Sequence, residues 1–214
     1  MEEYYNSFLK LLESEDRYEC VKFVKKLLDE KKVGIVELYQ DIIKPLMENI
    51  TCKVNEKNIC IWQEHIRSGI VRTVIESCYT YVIDESKVKI DQKKGKVVVL
   101  CPQEEYHDIG ARMITDLFSI SGYESIFVGS NTPKSDFLAA LEYIKPEYVA
   151  ISVTNYYNLV AAKNYIDGIK EKLRSNIQIL VGGTAFKSDE NLYKTIGADK
   201  YIDTFDDINK MGGI

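Results

Sequence analysis

After residue 95 the spacing of the apolar residues changes, and no other feature of this 214-residue chain limits its fold as strongly. Before that point they recur at three and four. Val21, Val24, Leu27 and Leu28 form one stripe, and Ile66, Ile70, Val74 and Cys78 form another, with Val71 and Ile75 beside it. That is the period of helices buried along one face. Beyond residue 95, short unbroken apolar runs stand at Val97–Cys101, Ile126–Val128, Tyr148–Val153 and Ile177–Val181, with a weaker one near Tyr201–Ile202. Helical stretches over 110–122, 134–145, 156–174 and 187–196 lie between and after them. Strands apolar on both faces, alternating with helices, predict a parallel sheet covered on both sides. Right-handed crossovers then give a five-stranded, doubly wound α/β domain with flavodoxin-like strand order.

The first half predicts four helices, roughly 2–13, 16–31, 34–51 and 59–82, packed as a small bundle. Pro45 should bend or break the third near Lys44. The charged stretch from Asp84 to Gly95 reads as a linker. The expected organisation is a helical bundle over 1–83, a linker over 84–95 and an α/β domain over 96–214.

Composition removes several classes of function. Lys and Arg number 28 against 33 Asp and Glu, a net charge of −5, which speaks against a surface built to grip phosphate backbones. The longest purely apolar run, Val97–Cys101, is too short to span a bilayer. The N-terminal MEEYYNSF lacks the basic and apolar regions of a signal peptide. The five cysteines, Cys20, Cys52, Cys60, Cys78 and Cys101, contain no C-x-x-C pair and read as reduced, mostly buried thiols of a cytoplasmic protein.

In an open parallel sheet, ligands collect beyond the carboxyl ends of the strands, near the point where strand order reverses. Three loops qualify. The first follows Cys101 and contains Glu105, Tyr106, His107, Asp108, Ile109 and Gly110. His107 is one of two histidines in the chain; neutral imidazole is a common metal ligand, and such a ligand normally donates its other N–H to a carboxylate or carbonyl. Glu105 can play that part, and Gly110 lets the backbone approach a bulky ligand. The second loop begins at Ser152-Val153-Thr154, two hydroxyls pointing the same way from an extended segment. The third carries Gly182-Gly183, either a plain turn or a wall without side chains beside a large planar group.

Together the three loops resemble the cobalamin-binding domain of methionine synthases, corrinoid methyl carriers, mutases and light-sensing repressors. That family's Asp-x-His-x-x-Gly stands here as Glu105-x-His107-x-x-Gly110, its Ser-x-Leu or Ser-x-Thr as Ser152-Val153-Thr154, and its Gly-Gly as Gly182-Gly183. The resemblance implies cobalamin, as adenosylcobalamin or methylcobalamin, with His107 replacing the cofactor's own benzimidazole as lower axial ligand to cobalt. It also implies that the displaced nucleotide tail threads past Ser152 and Thr154 and alongside Gly182 and Gly183.

The helical half resembles the family's cap domain, and Glu64-His65 matches the Glu-His of the light-sensing branch. Glutamate at position 105 and the stretch Ser130-Asn131-Thr132-Pro133 are similar to that branch as well. Two departures stand out. Val54, followed by Asn55, occupies the position of that branch's tryptophan, and Trp62 is expected to pack within the bundle. No helix-turn-helix precedes the bundle, so direct nucleic-acid binding is not expected.

Two functions follow from the resemblance, both cofactor-binding roles without a complete catalytic site of the chain's own. The first is a stand-alone sensor or regulatory module for an alkylcobalamin, read out by an unidentified protein partner or by self-association. The second is a corrinoid carrier passing methyl groups between separate methyltransferases. A phosphoacceptor receiver fits poorly, because Cys101-Pro102 and Ser152–Thr154 occupy the places where its acidic residues belong.

Overall fold

The structure, a computed structural model, describes residues 1–49, 57–87, 94–173, 176–189 and 191–212. The chain divides into two units, Met1–Glu85 and Ser86–Ile214. Among the described residues no helix is long and apolar enough to cross a membrane.

The first unit is helical. Helix α1 (Glu2–Glu13) is followed by α2 (Arg17–Asp29), whose N-terminus is capped by the Asp16 carboxylate accepting from Glu19 N–H. A third helical run begins with α3 (Ile35–Glu37), passes through a π-helical stretch at Leu38–Ile43 and continues as α4 (Lys44–Asn49). Pro45 was expected to bend or break this run. Instead the preceding turn widens, with Lys44 N–H donating to Tyr39 C=O five residues back. A wider turn absorbs the proline's missing donor and the bulk of its ring without ending the helix.

The helix expected over 59–82 is two helices, α5 (Lys57–Ser77) and α6 (Tyr79–Ser86), divided at Cys78. There the Ser77 hydroxyl donates to Val74 C=O and Cys78 N–H donates to Ile75 C=O, tightening the last turn of α5. Helix α6 therefore runs into the first residues of the expected linker; residues 88–93 of that segment lie outside the described residues. Phe8, Leu12, Val24, Ile35, Leu38, Ile42, Val71, Val74 and Val82 are buried in this unit. Trp62, expected in the bundle, is 67% exposed, because it projects from α5 on the side away from Val71 and Ile75. Cys20, Cys78 and Cys101 are free and buried, but Cys60 is disulfide-bonded, against the expectation of five reduced thiols. Cys60 is only half-buried near the start of α5, unlike Cys20 and Cys78 in the core of the same unit and Cys101 in that of the second.

The second unit is the predicted α/β domain. Its elements are β1 (Lys96–Leu100), α7 (Ile109–Ile120), β2 (Glu124–Gly129), α8 (Lys134–Ile144), β3 (Tyr148–Ser152), α9 (Leu159–Lys172), β4 (Gln178–Gly182), α10 (Leu192–Thr195), β5 (Lys200–Tyr201) and α11 (Phe205–Asn209). All strand pairs are parallel, in the order β2-β1-β3-β4-β5. The apolar runs are continuous because both sheet faces are covered. Val98, Leu100, Val149 and Ile151 pack with Phe137, Leu141, Tyr165 and Ile166 of α8 and α9. On the other face Tyr123 meets Phe118 and Tyr148 edge-on, at 5.3 and 5.5 Å between ring centres.

The pairing of β1 with β2 is irregular at one point. Val99 pairs with Phe127 but Leu100 pairs with Gly129, so the register slips and Val128 is left over and exposed. A bulge of this kind bends the edge strand and re-aims the loop after it. The expected helix over 187–196 shrinks to the single turn α10, with a 3-10 turn at Thr184–Phe186 before it. The Asp189 carboxylate accepts from Asn191 N–H and holds that part of the stretch as a turn. Helix α11 was not expected; Thr204 and Asp207 form its capping box.

Candidate functional site

Strand order reverses between β1 and β3, and the loops leaving those two strands meet at one carboxylate. Glu105 lies in the β1–α7 loop, folded inward until it is 0% exposed. Its Oε1 accepts the His107 backbone N–H at 3.0 Å and lies 2.6 Å from His107 Nδ1. Its Oε2 accepts from Thr154 N–H at 3.0 Å, Asn155 N–H at 2.9 Å and Asn158 Nδ2 at 3.0 Å. Burial by itself pushes this carboxyl up. The donors from Asn155, Asn158 and His107 outweigh burial and hold it below the ordinary carboxylate value.

That arrangement settles the proton on the imidazole. An ionised carboxylate only accepts, so His107 Nδ1 must be the donor in the 2.6 Å contact. A neutral ring protonated on Nδ1 keeps its lone pair on Nε2. The His107 side chain is 59% exposed, so this lone pair belongs to a ring open to a ligand. The neighbouring Cys101 Sγ donates to His107 C=O at 3.7 Å. Burial, followed by the charges of Glu105 and Asp108, pushes that thiol up to about 12, so it offers no thiolate beside the imidazole.

Tertiary ties hold the loop from behind. The Tyr165 hydroxyl, on α9, donates to Thr132 C=O and accepts from Gln103 N–H at 3.3 Å. One buried phenol thus joins the loops after β1 and β2.

The residues singled out from the sequence fall into distinct settings. Glu105, His107 and the backbone of Thr154 come together in one network. Asp108 is buried at the N-cap position of α7, Ile109 is half-buried, and Tyr106 and Gly110 are exposed. A Cβ placed on Gly110 would meet nothing within 4 Å, so the backbone there faces open space. Ser152 is half-buried and pairs with Gly182 across β3 and β4. A Cβ on Gly182 would lie 2.6 Å from Ile202 C=O, and one on Gly183, at φ +102°, would run into the carbonyl of Val153. The protein's own backbone therefore requires both glycines. Glu64 and His65 belong to the first unit and are exposed on α5. Val54 lies outside the described residues.

Asn155 and Asn158 were not anticipated as part of this network. They follow Ser152-Val153-Thr154 directly, and a polar Asn-Tyr-Tyr-Asn run at a strand end is the signal that could have found them.

Among the described residues no group of three or more His, Cys, Asp or Glu is placed to hold a metal ion. One open imidazole does not hold a metal ion by itself, but it can add a single nitrogen donor to a metal that another group already holds. His107 Nε2, oriented through its ring partner by a buried carboxylate, fits that role.

Comparison with known proteins agrees in kind. A family model described as "B12 binding domain" matches residues 95–209. Over 120 residues the chain is 30% identical to a corrinoid protein of Desulfitobacterium hafniense (strain Y51), covering 54% of this chain and 53% of that one. The match thus spans about half the length of that curated relative. The fold is similar to that of the Methanosarcina barkeri monomethylamine corrinoid protein, with a TM-score of 0.80 at 16% identity over 98% of this chain and 96% of that one. It is also similar to a chain of the Methanosarcina barkeri methanol:cobalamin methyltransferase complex, with a TM-score of 0.50 at 19% identity over 97% and 77% of the two chains.

Proposed function

The chain belongs to the B12-binding domain family, and from that premise we propose that it is a corrinoid methyl carrier serving separate methyltransferases, with His107 as the axial ligand to cobalt. The observation that carries the ligand assignment is the contact of His107 Nδ1 with the buried Glu105 carboxylate. The carrier role is supported by the relatives, a corrinoid protein in sequence and a monomethylamine corrinoid protein in fold. The sequence favours a stand-alone sensor or regulatory module for an alkylcobalamin, on Glu64-His65 above all. The relatives favour the carrier, and a methyltransferase is accordingly the proposed partner.

When bound, a corrinoid supplies a cobalt centre that accepts and gives up a methyl group. The chain's own residues bind and orient. Glu105 holds the proton at Nδ1, so Nε2 keeps its lone pair directed away from the carboxylate. The amides of Thr154 and Asn155 and the side chain of Asn158 fix Glu105 in turn, so the ring is anchored to the end of β3 rather than to a free loop. Tyr106, Ile109 and Gly110 form the rest of the β1–α7 face proposed to lie against the macrocycle, and Ser152, Thr154, Gly182 and Gly183 the region proposed for its nucleotide tail.

Reconstitution with methylcobalamin tests this. The protein should retain cofactor through desalting and show the spectrum of a corrinoid whose own base is displaced. His107→Ala should lose that spectrum while remaining folded by circular dichroism. Transfer of the methyl group to or from a methyltransferase in the dark supports the carrier. A response only to light, with no transfer, supports the sensor.

A further inference from the structure

Two asparagines bracket the peptide that carries Glu105. From the loop after β2, Asn131 Oδ1 accepts Glu104 N–H at 2.9 Å, and Asn131 N–H donates to Glu105 C=O at 3.1 Å. From the turn after β3, Asn158 Nδ2 donates both to Glu104 C=O at 3.3 Å and to Glu105 Oε2 at 3.0 Å. With Glu105 N–H donating to Pro102 C=O at 3.0 Å, every backbone polar group of Glu104 and Glu105 has a partner. Most of those partners come from the two asparagines.

The backbone here is not one the loop would choose unaided. Glu104 has φ +68°, a left-handed conformation that costs a side chain with a Cβ about 1 kcal/mol or more. Asn131, at φ +51°, is also left-handed, where asparagine is among the best tolerated residues. The bulge at Val99/Leu100 and the bond from Cys101 N–H to Gly129 C=O bring the loop after β2 against the loop after β1. A strained glutamate is thus held on its N–H side by one asparagine and on its C=O side by the other.

We propose that Asn131 is a positioning residue for His107, acting through the Glu104–Glu105 peptide to keep the Glu105 carboxylate against Nδ1 from the side opposite Asn158. The inference rests on the assignment of His107 as cobalt ligand only for its consequence in cofactor binding; the effect on the ring itself needs no cofactor. Neither asparagine touches the imidazole. Each removes a direction in which Glu105 can withdraw, and withdrawal would free the ring to move its proton to Nε2, the nitrogen needed for a metal.

The test uses the full chain with three substitutions. Asn131→Gly keeps the left-handed backbone and removes the acceptor. Asn131→Asp keeps both the backbone tolerance and an oxygen for Glu104 N–H. Asn158→Ala removes both side-chain bonds. Imidazole nitrogen shifts of 15N-labelled, cofactor-free protein report the tautomer of His107, with the exposed His65 as internal comparison. Cob(II)alamin is then added to the labelled protein. A two-line nitrogen splitting of the cobalt resonance marks the protein's histidine, and a three-line splitting marks the cofactor's own base.

Wild type and Asn131→Asp are expected to be Nδ1-protonated and to give two lines. Asn131→Gly and Asn158→Ala should lose part of the Nδ1-protonated population and bind cobalamin about 10-fold more weakly, as outer partners of ligating histidines typically do. The proposal is overturned if Asn131→Gly keeps the wild-type tautomer. Three lines from wild type would remove the ligand assignment instead, while the tautomers still decide the bracket. Should Asn158→Ala fail to fold, the contrast between glycine and aspartate at the exposed position 131 decides alone.

Discussion

His107 Nδ1 lies 2.6 Å from Glu105 Oε1, and the two partners face opposite environments: the carboxylate is fully buried, the ring more than half exposed. The buried member also accepts four further N–H bonds. Glu105→Gln replaces one oxygen with a donor. Turned toward Thr154 and Asn155, the amide sets donors against donors. Turned toward His107, it forces Nδ1 to accept and moves the ring proton to Nε2. The expected loss is about 2–4 kcal/mol, from the unsatisfied donors and the missing charge. A lower urea midpoint at unchanged slope would report it. The histidine signature of bound cobalamin should disappear as well. Unchanged stability would mean that the carboxylate does not anchor the loop.

Acid should act through the same group. Glu105 is held below its ordinary value of 4.5, so its contribution to stability is complete above that value. It declines as pH falls through the lower, folded value, where protonation removes the acceptor. The part of the stability gap between wild type and Glu105→Gln that comes from the carboxylate should therefore narrow as the pH falls below 4.5. Urea titrations at several pH values measure it. A gap that widens below pH 4.5 contradicts the sign.

Tyr165→Phe tests the tie between the loops after β1 and β2. The phenol is nearly fully buried, and its hydroxyl serves both Thr132 C=O and Gln103 N–H. Removing it should cost about 1–2 kcal/mol. Tyr165 bonds to neither Glu105 nor His107 in this network, so the His107 tautomer should persist. A change in the nitrogen shifts of His107 without a change in stability would reverse that expectation.

What the sequence revealed, and what it concealed, depends on the range of each interaction. The strands were legible because a sheet covered on both faces imposes unbroken apolar runs such as Val97–Cys101. The loop carrying Glu105 and His107 was legible because strand-end position and residue type point to the same chemistry. The π-helical turn before Pro45 was not, since its accommodation depends on which carbonyl five residues back is free to accept. Nor was the split at Cys78, decided by one serine hydroxyl on a nearby carbonyl. The side-chain bonds from Asn131 and Asn158 to Glu104 and Glu105 join residues 27 to 54 positions apart. Such pairings exist only once the bulge in β2 and the end of β3 are in place. The capping box at Thr204 and Asp207 was readable locally and marks the helix that the apolar pattern missed.

The three site glycines separate structural need from ligand need. Alanine at position 183 must adopt φ +102° and force its Cβ against the Val153 carbonyl, and alanine at 182 must come within 2.6 Å of Ile202 C=O. Each should cost about 2 kcal/mol or more, so weaker cobalamin binding by either variant says little about the nucleotide tail. Gly110 behaves differently. It is the second residue of α7, it is exposed, and an added methyl there meets nothing within 4 Å. Gly110→Ala should stabilise the protein by about 0.4–1 kcal/mol, because alanine loses less backbone freedom on folding into a helix. If the corrin lies over this turn, the same methyl group takes up space at its face, and cobalamin affinity should fall while the urea midpoint rises. Opposite movement of the two quantities places the macrocycle against α7; a rise in both would place it elsewhere.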